Sequence, residues 1–144
     1  MTASIYAISI SARRGELKKE IAEAKIVEGF GIEGDGHGGD WDRQVTCLNW
    51  GSVVKSNAEH NLNMGPGDFA ENILIDEMDT LDLQPGDKFQ LGESAVLEVS
   101  QIGKPDHPSV VTRTFGVSLL PYEGLFCKVI HGGAIRKGDS VVKL

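Results

Sequence analysis

The residues best suited to do chemistry in this chain fall into four stretches. One is Gly103-Lys104-Pro105-Asp106-His107-Pro108-Ser109, which sets a cation, a carboxylate and an imidazole between two prolines. Lys104 and His107 could hold an anion, while Asp106 could act as a general base or orient His107. The prolines pre-set the backbone and so limit the entropic cost of presenting those groups. The same residue types also make ordinary turns, and that reading stays open.

A second stretch is "GIEGDGHGGDWDRQV", residues 31–45. Gly34, Gly36, Gly38 and Gly39 permit positive φ, so successive N–H groups can form an anion-binding concavity. Asp35, His37, Asp40 and Asp42 have the chemistry of metal ligands or proton carriers, and Arg43 carries a fork suited to carboxylate or phosphate. Neither the G-x-x-x-x-G-K-[ST] pattern nor G-x-G-x-x-G after a strand is present, which excludes the standard nucleotide loops. No cysteine joins the cluster and the histidines are scattered, so no metal site is expected.

In "GPGDFAENI", residues 65–73, Glu71 and Asn72 interrupt an apolar run and need partners, either loop backbone or a pocket. In "PYEGLFCKVIHGG", residues 121–133, Glu123 and His131 are candidates. Cys127 lies between Phe126 and Val129, and Cys47 beside Leu48; thiols in such company are usually inert packing.

These groups must be positioned by a small scaffold. With 144 residues and 40% hydrophobic composition, the chain suits one globular domain spanning 1–144. Its 18 glycines favour a turn-rich, mostly β architecture. The short strands separated by glycine turns suggest a barrel or sandwich. Two cysteines make no disulfide framework. The net charge of −7 argues against nucleic acid as a partner. No apolar run approaches the ~20 residues that span a bilayer, and the first 20 residues place apolar residues before basic ones, unlike a secretory signal. A cytoplasmic protein with no membrane partner is expected. Charge is uneven: nine acidic residues and one lysine occupy 68–98, whereas Lys104, Arg113, Lys128, Arg136, Lys137 and Lys143 make the last third locally cationic. A small anionic ligand would be drawn there.

Strands are expected at 4–11, 43–50, 69–75 and, best of all, 93–102. Residues 16–29 could be helix or, over 21–27, exposed strand. A short helix is expected after Asn49, its cap, with Trp50, Val53, Val54 and Ala58 on one face. "LQPGDKFQLG" and "IRKGDSVVKL" each place Gly-Asp before an alternating strand, and a helical turn is expected at Pro121.

Taken in order, "GIEGDGHGGDWDRQV", "GPGDFAENI", "PGDKFQLG", "VSQIGKPDHPS", "LLPYEGLFCKVIHGG" and "RKGDSV" resemble the MOSC domain, the C-terminal module of molybdenum-cofactor sulfurases, in its small stand-alone bacterial form. The resemblance runs from about residue 4 to 144. It implies a mostly β fold, a MOSC-like β-barrel with a few short helices. It also implies binding of the molybdenum cofactor (molybdopterin) or handling of sulfur for it, alongside molybdopterin biosynthesis proteins. No pyridoxal phosphate is expected in this chain. The family is proposed to carry sulfur on a cysteine as a persulfide. Here the sequence departs from the pattern. Where the loop of similar proteins reads Gly-Lys-x-Cys-His, this chain has Asp106; Val110 and Ser118 align with further cysteines, and Tyr122 replaces an arginine. A carboxylate cannot hold a persulfide.

The expected ligand-binding residues are therefore Asp35, His37, Arg43, Asn72, Lys104, Arg113 and Glu123, with His107 assisting. Asp106, His107 and Glu71 are the acid/base candidates. A thiol relocated to Cys127 or Cys47, and a scaffold role using the acidic 68–98 region, are the alternatives.

Overall fold

The computed structural model describes residues 2–144. Eleven strands are formed: β1 (Ser4–Ile10), β2 (Lys19–Ile21), β3 (Glu23–Val27), β4 (Gly31–Ile32), β5 (Val45–Asn49), β6 (Ile73–Asp76), β7 (Lys88–Leu91), β8 (Ala95–Ile102), β9 (Leu125–His131), β10 (Gly133–Arg136) and β11 (Val141–Lys143). Three helices join them: α1 (Trp50–His60), α2 (Val110–Phe115) and α3 (Leu120–Glu123). Eight strands make one sheet in the order β11-β7-β8-β9-β5-β6-β1-β2, and β10-β3-β4 make a second.

The pleat explains how one sheet supports two cores. On β6, Ile73 and Ile75 enter one apolar cluster, while Leu74 enters the other. On β9, Leu125, Cys127 and Val129 face the first cluster and Phe126 the second. This is the period-two alternation of strand side chains. The first cluster is covered by the small sheet through Ile26, Ile32 and Ile135. The second is covered by helices through Val53, Val111 and Leu120. In β1 a register shift between Ile5 and Ala7 lets Ile5 and Ile8 meet the same core despite their odd spacing.

β5 and β6 run parallel and are joined by α1, as a parallel pair requires a crossover. Asn49 caps α1, its side chain accepting from Gly51 N at 3.1 Å. The buried stripe of α1 runs through Val53 and Ser56, not the expected Val54 and Ala58, which are exposed. The two Gly-Asp segments pair with each other, since β7 and β11 are antiparallel neighbours. The strand alternative given for 21–27 holds, as the end of β2 and the whole of β3 with a break at Ala22, and Pro121 lies in the first turn of α3. Helix α2 was not expected from the sequence, and 69–72 is loop rather than strand.

The barrel expectation is not met. The chain's end meets the start of β1 through an isolated bridge, Ser4–Ser140, with Ile5 N donating to Asp139 O at 2.8 Å, Gly138 N to Ile5 O at 2.8 Å and Val141 N to Ala3 O at 3.0 Å, but no ladder continues from it. Among the described residues no ladder joins the edge strands β11 and β2, so the large sheet stays open. No helix of the described residues is long and apolar enough to cross a membrane.

Candidate functional site

Thr46 of β5 and Phe126 of β9 are register partners and lie on the helix-covered side of the sheet. They floor a recess of about 60 Å³ lined also by His37, Trp41, Arg43, Ala70, Lys104 and Leu120. A hollow of about 300 Å³ adjoins it, sharing His37, Ala70, Lys104 and Leu120 and adding Ser109, Arg113 and Ser118. A depression of about 840 Å³ lies elsewhere, beside β3 and β10, but it mixes Glu23, Glu93 and Asp139 with Lys25 and Arg136. It contains none of the expected catalytic or ligand-binding residues.

Lys104 reaches the cavity because β8 ends in a tight anchor. Gly103 N donates to Gly124 O at 2.8 Å and Lys104 N to Pro121 O at 3.0 Å. Gly103 has φ +76°, and a Cβ there would sit 2.6 Å from Pro121 O, so the turn requires glycine. The Lys104 ammonium lies 6.0 Å from the Phe126 ring centre, and the Arg43 guanidinium lies 5.4 Å from it. Arg43 also stands 5.8 Å from the Trp41 ring, over which Arg14 sits at 4.0 Å. These aromatic faces offset part of the cost of gathering cations. Burial first, then the Arg43 charge, pushes the Lys104 ammonium below its ordinary range, with Asp106 opposing.

His37 is held from behind by a residue that the sequence reading missed. Lys18 is buried, and its Nζ contacts Asp35 Oδ1 at 2.7 Å, His37 Nδ1 at 2.9 Å and Ser11 Oγ at 3.1 Å. Asp35 also accepts from Ser11 N at 3.1 Å and His37 N at 3.2 Å. An ammonium can only donate, so Nδ1 must accept and the neutral ring carries its proton on Nε2. Consistently, burial and then the Lys18 charge push His37 down from 6.5 to about 4, aided by Arg14 and Lys104 and opposed by Asp35. Trp41 Nε1 donates to His37 O at 2.7 Å and fixes the segment further.

The remaining sequence candidates have other places. Asp35 lies behind the cavity as the partner of Lys18. Glu71 is buried and accepts from Gly67 N at 2.7 Å and Phe69 N at 3.1 Å, which shapes the 65–71 loop. Burial pushes its carboxyl up to about 7 against those two N–H donors and its own backbone N–H. Ala70, held at φ +65° in that loop, lines the cavity. Asn72 staples strands, its Oδ1 accepting from Thr46 N at 3.0 Å and its Nδ2 donating to Ser9 O at 3.2 Å. Glu123 lines a separate depression with Met78 and Asp82. Asp106 and His107 are exposed on the loop between Lys104 and Ser109; Asp106 accepts from the Tyr122 hydroxyl. That contact and the Asp106 charge push the Tyr122 phenol up. His131 Nδ1 lies 2.8 Å from Ser94 O, outside this cavity.

Both thiols are fully buried in the core on the opposite side of the sheet from Phe126. Burial first pushes the Cys127 thiol up. Among the described residues no group of three or more His, Cys, Asp or Glu is placed to hold a metal ion. The structure thus brings together Arg43, Lys104, Arg113 and His37 and leaves Asp106, His107, Glu71 and Glu123 outside their cavity lining. Trp41, Thr46 and Phe126 join them without having been anticipated; a tryptophan two residues from Arg43 was the one available signal.

The fold is shared with solved proteins. The YuaD protein from Bacillus subtilis aligns with a TM-score of 0.75 at 19% identity, over 98% of this chain and 94% of that one. YiiM from Geobacillus stearothermophilus aligns with a TM-score of 0.73 at 18% identity, over 99% of this chain and 75% of that one. YiiM from Escherichia coli gives 0.73 at 21% identity, over 100% and 70%. No curated protein sequence matches. The family model of the MOSC domain matches residues 33–142, a span that takes in every residue lining the cavity except Gly15, and the chain belongs to that family.

Proposed function

We propose that this MOSC-domain protein binds an anionic ligand, the molybdenum cofactor or a related molecule, through the basic cavity and does not carry sulfur on a thiol of its own. The carrying observation is that Lys104 and the neutral imidazole of His37 line two adjoining hollows, to one of which Arg43 contributes and to the other Arg113. These groups suit the phosphate of molybdopterin: two guanidinium forks, an ammonium and an N–H donor beside aromatic walls. When bound, the cofactor would supply its dithiolene and metal chemistry. Arg43, Lys104 and His37 would grip and orient its phosphate, and Leu120 and Phe126 would shed water from one side. The burial of Cys47 and Cys127 favours binding without thiol relay over a relocated sulfur carrier.

Equilibrium binding of molybdopterin tests this. Saturable binding is expected, weakened about tenfold or more by Arg43→Ala or Lys104→Ala, as loss of a charge-assisted contact implies. Substituting Cys47 with Ala should leave affinity unchanged. Absence of binding, or binding indifferent to both cations, would remove the reading.

A further inference from the structure

We infer that the cavity selects oxyanions that carry no proton, taking a tetrahedral dianion such as sulfate, or a fully ionised phosphate ester, in preference to hydrogen phosphate. This rests on the anion-binding reading above and narrows it to a protonation state.

The inference follows from the hydrogen-bond valence of the lining. Arg43, Arg113 and Lys104 are donors only. His37 could be ambivalent, since a neutral imidazole has one donor and one acceptor nitrogen. Here the acceptor nitrogen is already used, because Lys18 Nζ lies 2.9 Å from Nδ1 and can only donate to it. Lys18 cannot turn away cheaply: Asp35 Oδ1 holds it at 2.7 Å, with both side chains wholly buried. The nitrogen left for a ligand is therefore Nε2, as an N–H donor.

No carboxylate among the described residues lines either hollow. Asp35 and Asp106 are the acids that act electrostatically on the pocket's His37 and Lys104. Asp35 is engaged by Lys18, Ser11 N and His37 N, and Asp106 by Tyr122. Around His37 the charged groups are Lys18, Asp35, Arg14 and Lys104, with Arg43 on the recess wall. Two nearby carbonyls already accept one hydrogen bond each, His37 O from Trp41 Nε1 at 2.7 Å and Gly103 O from Gln101 Nε2 at 2.8 Å. Ser109 Oγ faces its own helix, accepting from Thr112 N at 3.3 Å. The Thr46 and Ser118 hydroxyls could accept, but only by turning their own protons away from the anion.

A proton on the bound ion would thus confront a donor or displace one. An unmet donor–donor contact in a partly buried site costs about 1–3 kcal/mol, roughly five- to over a hundredfold in affinity. The recess of about 60 Å³ corresponds to about two water volumes, a size that admits one compact tetrahedral ion. Inorganic phosphate keeps at least one proton near neutrality, whereas sulfate has none. A phosphate monoester, with a second pKa near 6, loses its last proton there and would qualify as a ligand at neutral pH.

Titration calorimetry of the whole chain with sodium sulfate and with sodium phosphate at pH 7.5 provides the test. Sulfate is expected to bind at least about tenfold more tightly, and its affinity should stay flat down to pH 5.5. Phosphate should weaken further over the same interval. In parallel, ¹⁵N NMR should report Nδ1 of His37 as unprotonated and Nε2 as protonated across that range. If neither ion binds, the anion-site reading fails and this inference with it. If both bind with similar affinity, or phosphate binds more tightly, the selectivity inference alone is overturned. A proton found on Nδ1 would overturn it as well, without requiring any variant to fold.

Discussion

Replacing Lys18 with Met separates the structural argument for the site from its alternatives. The ammonium and the Asp35 carboxylate are wholly buried and 2.7 Å apart. Removing one member of such a pair leaves an uncompensated buried charge, which costs about 3–5 kcal/mol. A domain of this size commonly has a total stability of about 5–15 kcal/mol, so the loss should be visible in any unfolding curve. The perturbation has a local signature too. Lys18 is the second cause, after burial, of the fall of His37 to about 4. Without it, burial still lowers the imidazole while Asp35 raises it, so His37 should titrate above 4. Urea unfolding at pH 7.5 gives the first number, and an NMR titration of the imidazole gives the second. The double variant Lys18→Met/Asp35→Leu should recover much of the lost stability, because no lone charge remains. A loss below about 1 kcal/mol, typical of a solvated surface pair, together with an unmoved His37, would refute the account of a buried Lys18–Asp35 pair that fixes His37.

Other outcomes follow from the same geometry. Gly67→Ala should destabilise by more than about 2 kcal/mol by urea unfolding, since φ is +84° and the new Cβ would lie 2.1 Å from Lys18 O; Gly65→Ala, with nothing within 4 Å, is the control. A thiol reagent should leave native Cys47 and Cys127 unlabelled until unfolding, whereas the exposed position of Asp106→Cys should label at once. The pH dependence carries two opposed contributions. His37, depressed from 6.5 to about 4, contributes stability present above 6.5 and lost as pH falls towards 4. Glu71, raised from 4.5 to about 7, contributes stability present below 4.5 and lost as pH rises towards 7. The two should cancel between 4.5 and 6.5, and His37→Asn should unmask a decline with pH on the order of 1 kcal/mol per pH unit, read from urea midpoints.

How much of this was legible in the sequence depended on whether the signal was local. The 93–102 alternation, the Asn49 cap and the Gly-Asp turns are short-range patterns, and β8, α1, β7 and β11 follow them. Arg43, Lys104 and His37 could be singled out because glycines and prolines mark loops that hold polar groups in place. Lys18 could not be. It sits in "ELKKEIAEAK", where a lysine reads as solvated, and distant segments make it internal: its Nζ meets Asp35 and His37, and Lys18 N donates to Gly67 O at 3.1 Å. Glu71 and Asn72 were visible as polar interruptions, and the loop-backbone reading holds for Glu71, whose donors Gly67 N and Phe69 N are local; the partners of Asn72, Thr46 and Ser9, lie on distant strands that spacing does not encode. The open sheet was equally hidden, since strand count alone does not state which edges pair.

The pleat also bears on the departure from the family's sulfur pattern. Phe126 and Thr46 face the cavity because their neighbours Cys127 and Cys47 face the other core. Turning Cys127 towards the cavity would need a one-residue slip of β9, which inverts every side chain on that strand. Leu125 and Phe126 would exchange cores, each meeting a space shaped for the other, and the exposed Lys128 would be turned towards the first core with no partner for its charge. A thiol relay through Cys127 therefore conflicts with the core itself and not merely with its accessibility. Chemistry at this cavity must rest on the groups the loops deliver: two guanidiniums, one ammonium and an imidazole fixed as a donor.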